Sequence, residues 1–208
     1  MSTNIVFDFG AVVFTWRPDL LVQTLFPAEA ATPAAARALA VAIFHHEDWQ
    51  EFDRGTVLMP LVVQRTAARL GLPQQAIQSL MSGIGEHLQP MPETVDLLGR
   101  LRERREQRGD LRLYFLSNMP EPYARVLEQR HAFLEWFDGG VFSGDVKLVK
   151  PQPEIYQALE SRYALDPRRT VFVDDLLANV EAARARGWRA IHFASAIQLE
   201  QELQLNSF

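Results

Sequence analysis

Four groups of polar residues stand where chemistry can be done: Asp8, Ser117-Asn118, Lys150 and Asp174-Asp175. Three of them directly follow apolar runs that read as buried strands: Ile5-Val6-Phe7, Leu111 to Leu116, and Thr170 to Val173. Lys150 opens the segment Lys150-Pro151-Gln152-Pro153-Glu154, which leads into a helix. A carboxylate buried without a partner is costly, whereas ligands of open parallel sheets bind at the carboxyl ends of the strands. Each group has a plain structural alternative: Asp8 as a turn cap, Ser117-Asn118 and Asp174-Asp175 as helix caps, Lys150 as a surface lysine. A parallel sheet would bring all four to one edge.

The chemistry that suits such an edge is phosphoryl transfer through a carboxylate nucleophile. Asp8, Asp174 and Asp175 repel one another unless a divalent cation sits among them, and oxygen-only ligands suit Mg²⁺. Lys150 supplies a compact positive charge for a phosphate. The Ser117 hydroxyl, the Asn118 amide and nearby backbone N–H groups can hold phosphate oxygens. In this scheme Asp8 attacks phosphorus and water then hydrolyses the aspartyl-phosphate. The sequence has no G-x-x-x-x-G-K stretch, so a nucleotide P-loop is not expected.

The elements that must position these groups follow from pattern and punctuation. From Pro92 onward, helices alternate with apolar runs at 111–116, 141–143, 170–173 and 188–193. With the run before Asp8 they make about five strands of an α/β parallel sheet. After that first strand, Val12 to Trp16 reads as a short extended flap, broken by Arg17-Pro18. Residues 17–90 read as almost purely helical. Thr32-Pro33 is a cap and first-turn pair, Thr56 is expected to cap a helix over 57–70, and Gly71 closes it. The expected organisation is a sheet-bearing core of residues 1–16 and 91–208 with an inserted helical cap, residues 17–90.

The 208 residues are 48% hydrophobic and 23% charged, and carry a net charge of −5 from 21 basic and 26 acidic side chains. That balance argues against a nucleic-acid partner. The basic cluster from Arg100 to Arg108 is interleaved with Glu103 and Glu106 and reads as a solvated helix face. There is no cysteine, hence no disulfide framework or thiolate chemistry. No apolar run approaches the roughly 20 residues that span a bilayer, and no secretory pattern precedes the first strand. A cytoplasmic location is the resulting expectation.

Four stretches, in this order and spacing, resemble the haloacid dehalogenase (HAD) superfamily: Val6-Phe7-Asp8-Phe9-Gly10, Leu116-Ser117-Asn118, Lys150 to Tyr156, and Val171 to Asp175 with Asn179. The resemblance covers nearly the whole chain. It implies a Rossmann-like sheet in the order 3-2-1-4-5 with helices on both faces, a helical cap after the first strand, and an Asp8 nucleophile. It also implies Mg²⁺ held by Asp8, the Gly10 carbonyl and the Asp174-Asp175 pair, with Asp175 favoured as direct ligand and Asp174 direct or through water. The pattern D-[FL]-G-[GNA]-V and the segment Glu51 to Gly55 are similar to a bacterial subgroup that includes α-D-glucose-1-phosphate phosphatase.

One position departs from most phosphatases of that superfamily. They carry a second aspartate two residues after the nucleophile as general acid and base, and here that position is Gly10. A leaving group of low basicity, such as the anomeric oxygen of a sugar 1-phosphate, would need less protonation. A cap or flap residue is the other remedy, with Asp19, His45, His46 and Asp53 as candidates. His45, Trp49, Arg54 and Gly55 are candidates for substrate specificity, although His45, His46 and Trp49 also read as a packed helix face. Trp16 either borders the pocket or packs. The leading expectation is a Mg²⁺-dependent phosphatase of a small phosphorylated metabolite. The alternatives are a metal-independent dehalogenase-like hydrolase, which the Asp174-Asp175 pair speaks against, and a phospho-ligand-binding protein with little turnover.

Overall fold

A computed structural model describes residues 2–203. Five strands, β1 (Thr3–Phe7), β2 (Leu111–Ser117), β3 (Gly139–Phe142), β4 (Thr170–Asp174) and β5 (Arg189–His192), form one parallel sheet in the order β3-β2-β1-β4-β5. β1 lies in the middle, where both faces are covered, which is why Ile5, Val6 and Phe7 are apolar without alternation. The pleat divides them all the same. Ile5 and Phe7 enter one apolar cluster and Val6 enters another on the opposite face.

Between β1 and β2 run α1 (Pro18–Leu25), α2 (Pro33–Phe44), α3 (Glu47–Arg54), α4 (Met59–Leu70), α5 (Gln74–His87) and α6 (Pro92–Arg108). After β2 come α7 (Glu121–Arg130), a single turn α8 (Ser143–Val146), α9 (Pro153–Tyr163), α10 (Leu177–Ala185) and α11 (Ala196–Glu202). α9 and α10 cover the Val6 face through Ile155, Tyr156, Leu159 and Val180. The other face is covered by α6, α7 and α11, and the same cluster continues into α2–α5 through residues such as Phe44, Phe52, Val62 and Ile77. The helices of the insertion therefore share one apolar core with the sheet. Among the described residues, no helix is long and apolar enough to cross a membrane.

Three local expectations are corrected. Val12 to Phe14 do not form an extended flap. Phe9 O accepts from the N–H groups of Val12, Val13 and Phe14 in a tight turn, and all three side chains are buried. Three apolar residues in succession have a core to enter at this point, so they enter it. Thr56 does not cap α4, which starts at Met59 after Leu58; its hydroxyl instead donates to Glu51 O (3.1 Å) at the end of α3. Ser143 lies just past β3, in α8. The chain enters and leaves the insertion side by side: Thr15 N–H donates to Gln89 O and Met91 N–H donates to Val13 O, both at 2.8 Å.

Candidate active site

The sheet ends bring the polar groups together. Asp8 N–H donates to Val173 O (2.9 Å), so the β1–β4 ladder extends one residue and sets the Asp8 carboxylate beside the end of β4. Lys150 is buried between two carboxylates, with Nζ 2.8 Å from Asp8 Oδ1 and 2.7 Å from Asp174 Oδ2. Removing one partner from such a buried pair costs about 3–5 kcal/mol, because a charge is left uncompensated. Asn118 fixes the lysine's backbone. Its Nδ2 donates to Lys150 O (3.0 Å) and its Oδ1 accepts from Lys150 N–H (2.8 Å). Both ends of the Asn118 carboxamide are thus engaged with Lys150.

Asp174 is fully buried and accepts from Lys150 Nζ, Leu176 N–H (2.8 Å) and Asn179 Nδ2 (3.0 and 3.1 Å). Asp175 is half-buried, and its carbonyl meets His192 Nε2 at 2.8 Å. One oxygen from each of Asp8, Asp174 and Asp175 lies within 4.8 Å of the others. Burial pushes the Asp8 carboxyl up; Lys150 opposes this, and Asp174 and Asp175 reinforce it. Burial and Asp174 likewise push Asp175 up, to about 6. Burial alone would lower Lys150, but Asp174 and Asp8 more than offset it and hold the ammonium charged. One cation facing three crowded carboxylates leaves an excess of negative charge. A hard, oxygen-seeking divalent cation fits that donor set.

Asp8, Lys150 and Asp175 line a cavity of about 600 Å³ whose lining also includes Gly10, Ser117, Asn118 and Asn179, while Asp174 is buried behind them. The helical insertion supplies the opposite wall, with His45, Trp49, Asp53 and Arg54. Of the four candidates for a substitute acid, His45 and Asp53 reach the cavity. His46 does not line it; its Nδ1 accepts from Asp48 N–H (3.2 Å) as the cap of α3. Asp19 does not line it either and lies 3.5 Å from Arg17 Nε. Arg54 Nη1 donates to Gln152 Oε1 (2.9 Å), an insertion-to-core bond two residues beyond Lys150.

Gly55, expected at the substrate, instead packs on the core. It has φ +73°, and an added Cβ would lie 2.7 Å from Gly144 O and 2.6 Å from Lys147 Nζ. Beside it, the Ser143 hydroxyl donates to Asp53 O and accepts from Met119 N–H (2.8 Å). Ser143, Gly55 and Arg54 thus pin the end of α3 over the sheet edge. Gly55→Ala is expected to destabilise the fold by about 1–3 kcal/mol through the strained backbone and the carbonyl clash, measurable as a lower denaturant midpoint.

Asp53 has an unusual setting. Burial, first of all, pushes its carboxyl up to about 8, against a hydrogen bond from Trp49 and the charge of Lys150, and with help from Asp8. The Tyr123 hydroxyl, raised by burial and by Asp53, stays neutral and donates to Met81 O (2.8 Å). Sequence reading did not single out Ser143 or the cavity wall formed by Phe44, Ile84, Leu88, Met119 and Tyr123. These are apolar or small residues whose role depends on which helices meet.

The model of haloacid dehalogenase-like hydrolases matches residues 21–187. The chain belongs to this family. The haloacid dehalogenase-like hydrolase is 28% identical over 200 residues to a sesquiterpene phosphatase, astK, of Aspergillus oryzae, an alignment covering 96% of this chain and 93% of the relative. A HAD family enzyme of Bacteroides thetaiotaomicron, solved with magnesium and inorganic phosphate, superposes with a TM-score of 0.69 at 18% identity, over 92% of this chain and 93% of the other. The L-2-haloacid dehalogenase of Xanthobacter autotrophicus superposes at 0.65 and 20% identity, over 100% and 84%. At these identities the two structures show the fold alone, a Rossmann-like parallel sheet with helices on both faces.

Proposed function

We propose that this hydrolase is a Mg²⁺-dependent phosphatase of small phosphate monoesters, in which Asp8 is the nucleophile. One observation carries the reading: three carboxylates lie within 4.8 Å of one another, two of them on a single buried lysine, beside a cavity lined by Asp8, Asp175 and Lys150. A dehalogenase acting on carbon needs no such excess of negative charge. The phosphatase relative that aligns end to end supports the same reading. Its name also makes phosphates of apolar alcohols worth testing beside sugar phosphates. Residues 17–90 act as the cap over a core of residues 1–16 and 91–208.

Asp8, Asp175 and the Gly10 carbonyl would hold Mg²⁺ directly. Asp174 stands behind them, since its oxygens already accept from Lys150, Leu176 and Asn179. When bound, the cation supplies charge neutralisation for the phosphate oxygens. Lys150, held by Asn118, adds a fixed positive charge, and the Ser117 hydroxyl lines the phosphate end of the cavity. Asp8 attacks phosphorus and the P–O bond to the alcohol breaks. Asp53, protonated in its desolvated setting, gives its proton to the departing oxygen. It then takes a proton from the water that cleaves the aspartyl-phosphate, which restores Asp8 and releases phosphate. Gly10 therefore leaves no vacancy in the chemistry: the proton comes from the opposite wall.

Removal of divalent cations with EDTA is expected to abolish phosphate release from p-nitrophenyl phosphate, and added Mg²⁺ is expected to restore it. Because the cation would bind Asp8, Asp175 and the Gly10 carbonyl only as the fold brings them together, millimolar Mg²⁺ should also raise Tm. Turnover that persists unchanged in EDTA would point to the dehalogenase-like alternative.

A further inference from the structure

Beside the active-site cavity lies a second one, of about 230 Å³, walled on one side by Leu20, Leu21, Thr24 and Leu25 of α1. Trp16, Ile84 and Leu88 line both cavities, so the two adjoin at these side chains. Ile84 and Leu88 are buried, and Trp16 is half-buried. The Trp16 ring meets Phe44 edge-on at 5.2 Å between ring centres and stacks on Trp49 at 6.4 Å. Trp49 in turn stacks on Tyr123 at 6.4 Å. A continuous aromatic surface therefore leads from the wall above Asp8 to the face of α1. At the far end Leu20 and Leu25 remain 46% and 38% exposed. Uncovered apolar surface beside a site is what an apolar ligand group would cover.

We propose that the second cavity receives the far end of the substrate's alcohol group, so that the enzyme selects phosphate monoesters of long apolar alcohols and α1 sets the accepted length. This rests on the phosphatase reading and adds to it a second compartment. The phosphate end is polar and fixed at Asp8, Ser117 and Lys150. The ester's organic part then lies against Trp49, Tyr123 and Trp16, whose aromatic faces offer burial, while the polar side chains of the same cavity, His45, Gln50, Asp53, Arg54 and Gln152, do not extend into the second one. A short alcohol ends at Trp16. A longer one continues past it and gains the apolar wall of α1.

Two measurements on the intact protein test this. Phosphate release is followed for dimethylallyl, geranyl and farnesyl monophosphates and for p-nitrophenyl phosphate. Calorimetry follows the binding of methyl and farnesyl phosphonates, which cannot be hydrolysed, in the presence of Mg²⁺. kcat/KM is expected to rise at least about tenfold from dimethylallyl to farnesyl, since each buried methylene strengthens binding up to roughly fourfold. Thr24 and Leu20 are exposed, so Thr24→Trp and Leu20→Trp fill the second cavity without touching the core. Both variants are expected to lose the farnesyl advantage while keeping wild-type rates on dimethylallyl and p-nitrophenyl phosphates. A rate and an affinity that do not depend on chain length, or variants that slow every substrate alike, would overturn the proposal. Farnesyl phosphonate bound tightly without turnover of any ester would uphold the second cavity and refute the phosphatase reading instead.

Discussion

Asp8→Asn is expected to lower the rate of phosphate release by about 10⁴-fold or more, the scale seen when a nucleophile is removed from a working site. The amide cannot attack phosphorus, and it also withdraws one of the two carboxylates that would hold the cation directly. The loss should be large for p-nitrophenyl phosphate and for alkyl phosphates alike, because the step that breaks either ester bond needs the nucleophile in line with the leaving oxygen. Thermal denaturation separates this from misfolding. Asp8 is buried at the end of the central strand and Asn is of the same size, so the variant should unfold as cooperatively as wild type. Lys150 keeps Asp174 as its partner at 2.7 Å. A variant that retained turnover would remove Asp8 from the mechanism.

Asp53→Asn is expected to produce the second largest effect, and an uneven one. General acid catalysis is worth roughly 10²–10⁴-fold, but only when the departing oxygen is basic. Alkyl phosphates should lose that much in kcat, while p-nitrophenyl phosphate, whose leaving group needs little help, should lose less than about tenfold. The pH profile gives an independent reading. Asp53 donates only when protonated, and its carboxyl is pushed up to about 8, so the wild-type rate on alkyl phosphates should fall as pH rises through that value. The variant should lack that limb. Stability moves with the same sign. The folded protein holds a proton on Asp53 that the unfolded chain has lost above its ordinary carboxyl range, from 3.8 upward. Stability therefore declines over the window from about 4 to about 8 in wild type relative to Asp53→Asn. Trp49, Lys150, Asp8 and Tyr123 are the groups that face Asp53 and set this behaviour.

The sheet was legible because strands buried on both faces leave unbroken apolar runs, and each run ends in the polar group that the fold presents. Asp8, Ser117 and Asp174 could thus be placed at one edge from sequence. Lys150 could be placed at the same edge, but nothing in its neighbours says that Asn118 holds its backbone from 32 positions away. The insertion could be read as helical from its capping and closing residues, but not in its tertiary assignments. Asp53 and His46 look alike as polar residues of one segment. Only the rotation of α3 sends the first into the cavity and leaves the second as a helix cap. Gly55 shows the opposite error: a glycine beside candidate site residues turned out to serve a close backbone approach to Gly144.

The unbroken apolar cluster from α2–α5 to the Phe7 face of the sheet limits how this enzyme can change its substrate. A lid with a core of its own can be exchanged between relatives as a cassette. Here an exchange would tear Phe44, Phe52 and their neighbours away from the surface they seal, and the hydrolase beneath would be left with an open side. If α1 sets the accepted length as proposed, new specificity comes from residue-by-residue change along Trp16 and α1, with the rest of the insertion kept as part of the scaffold.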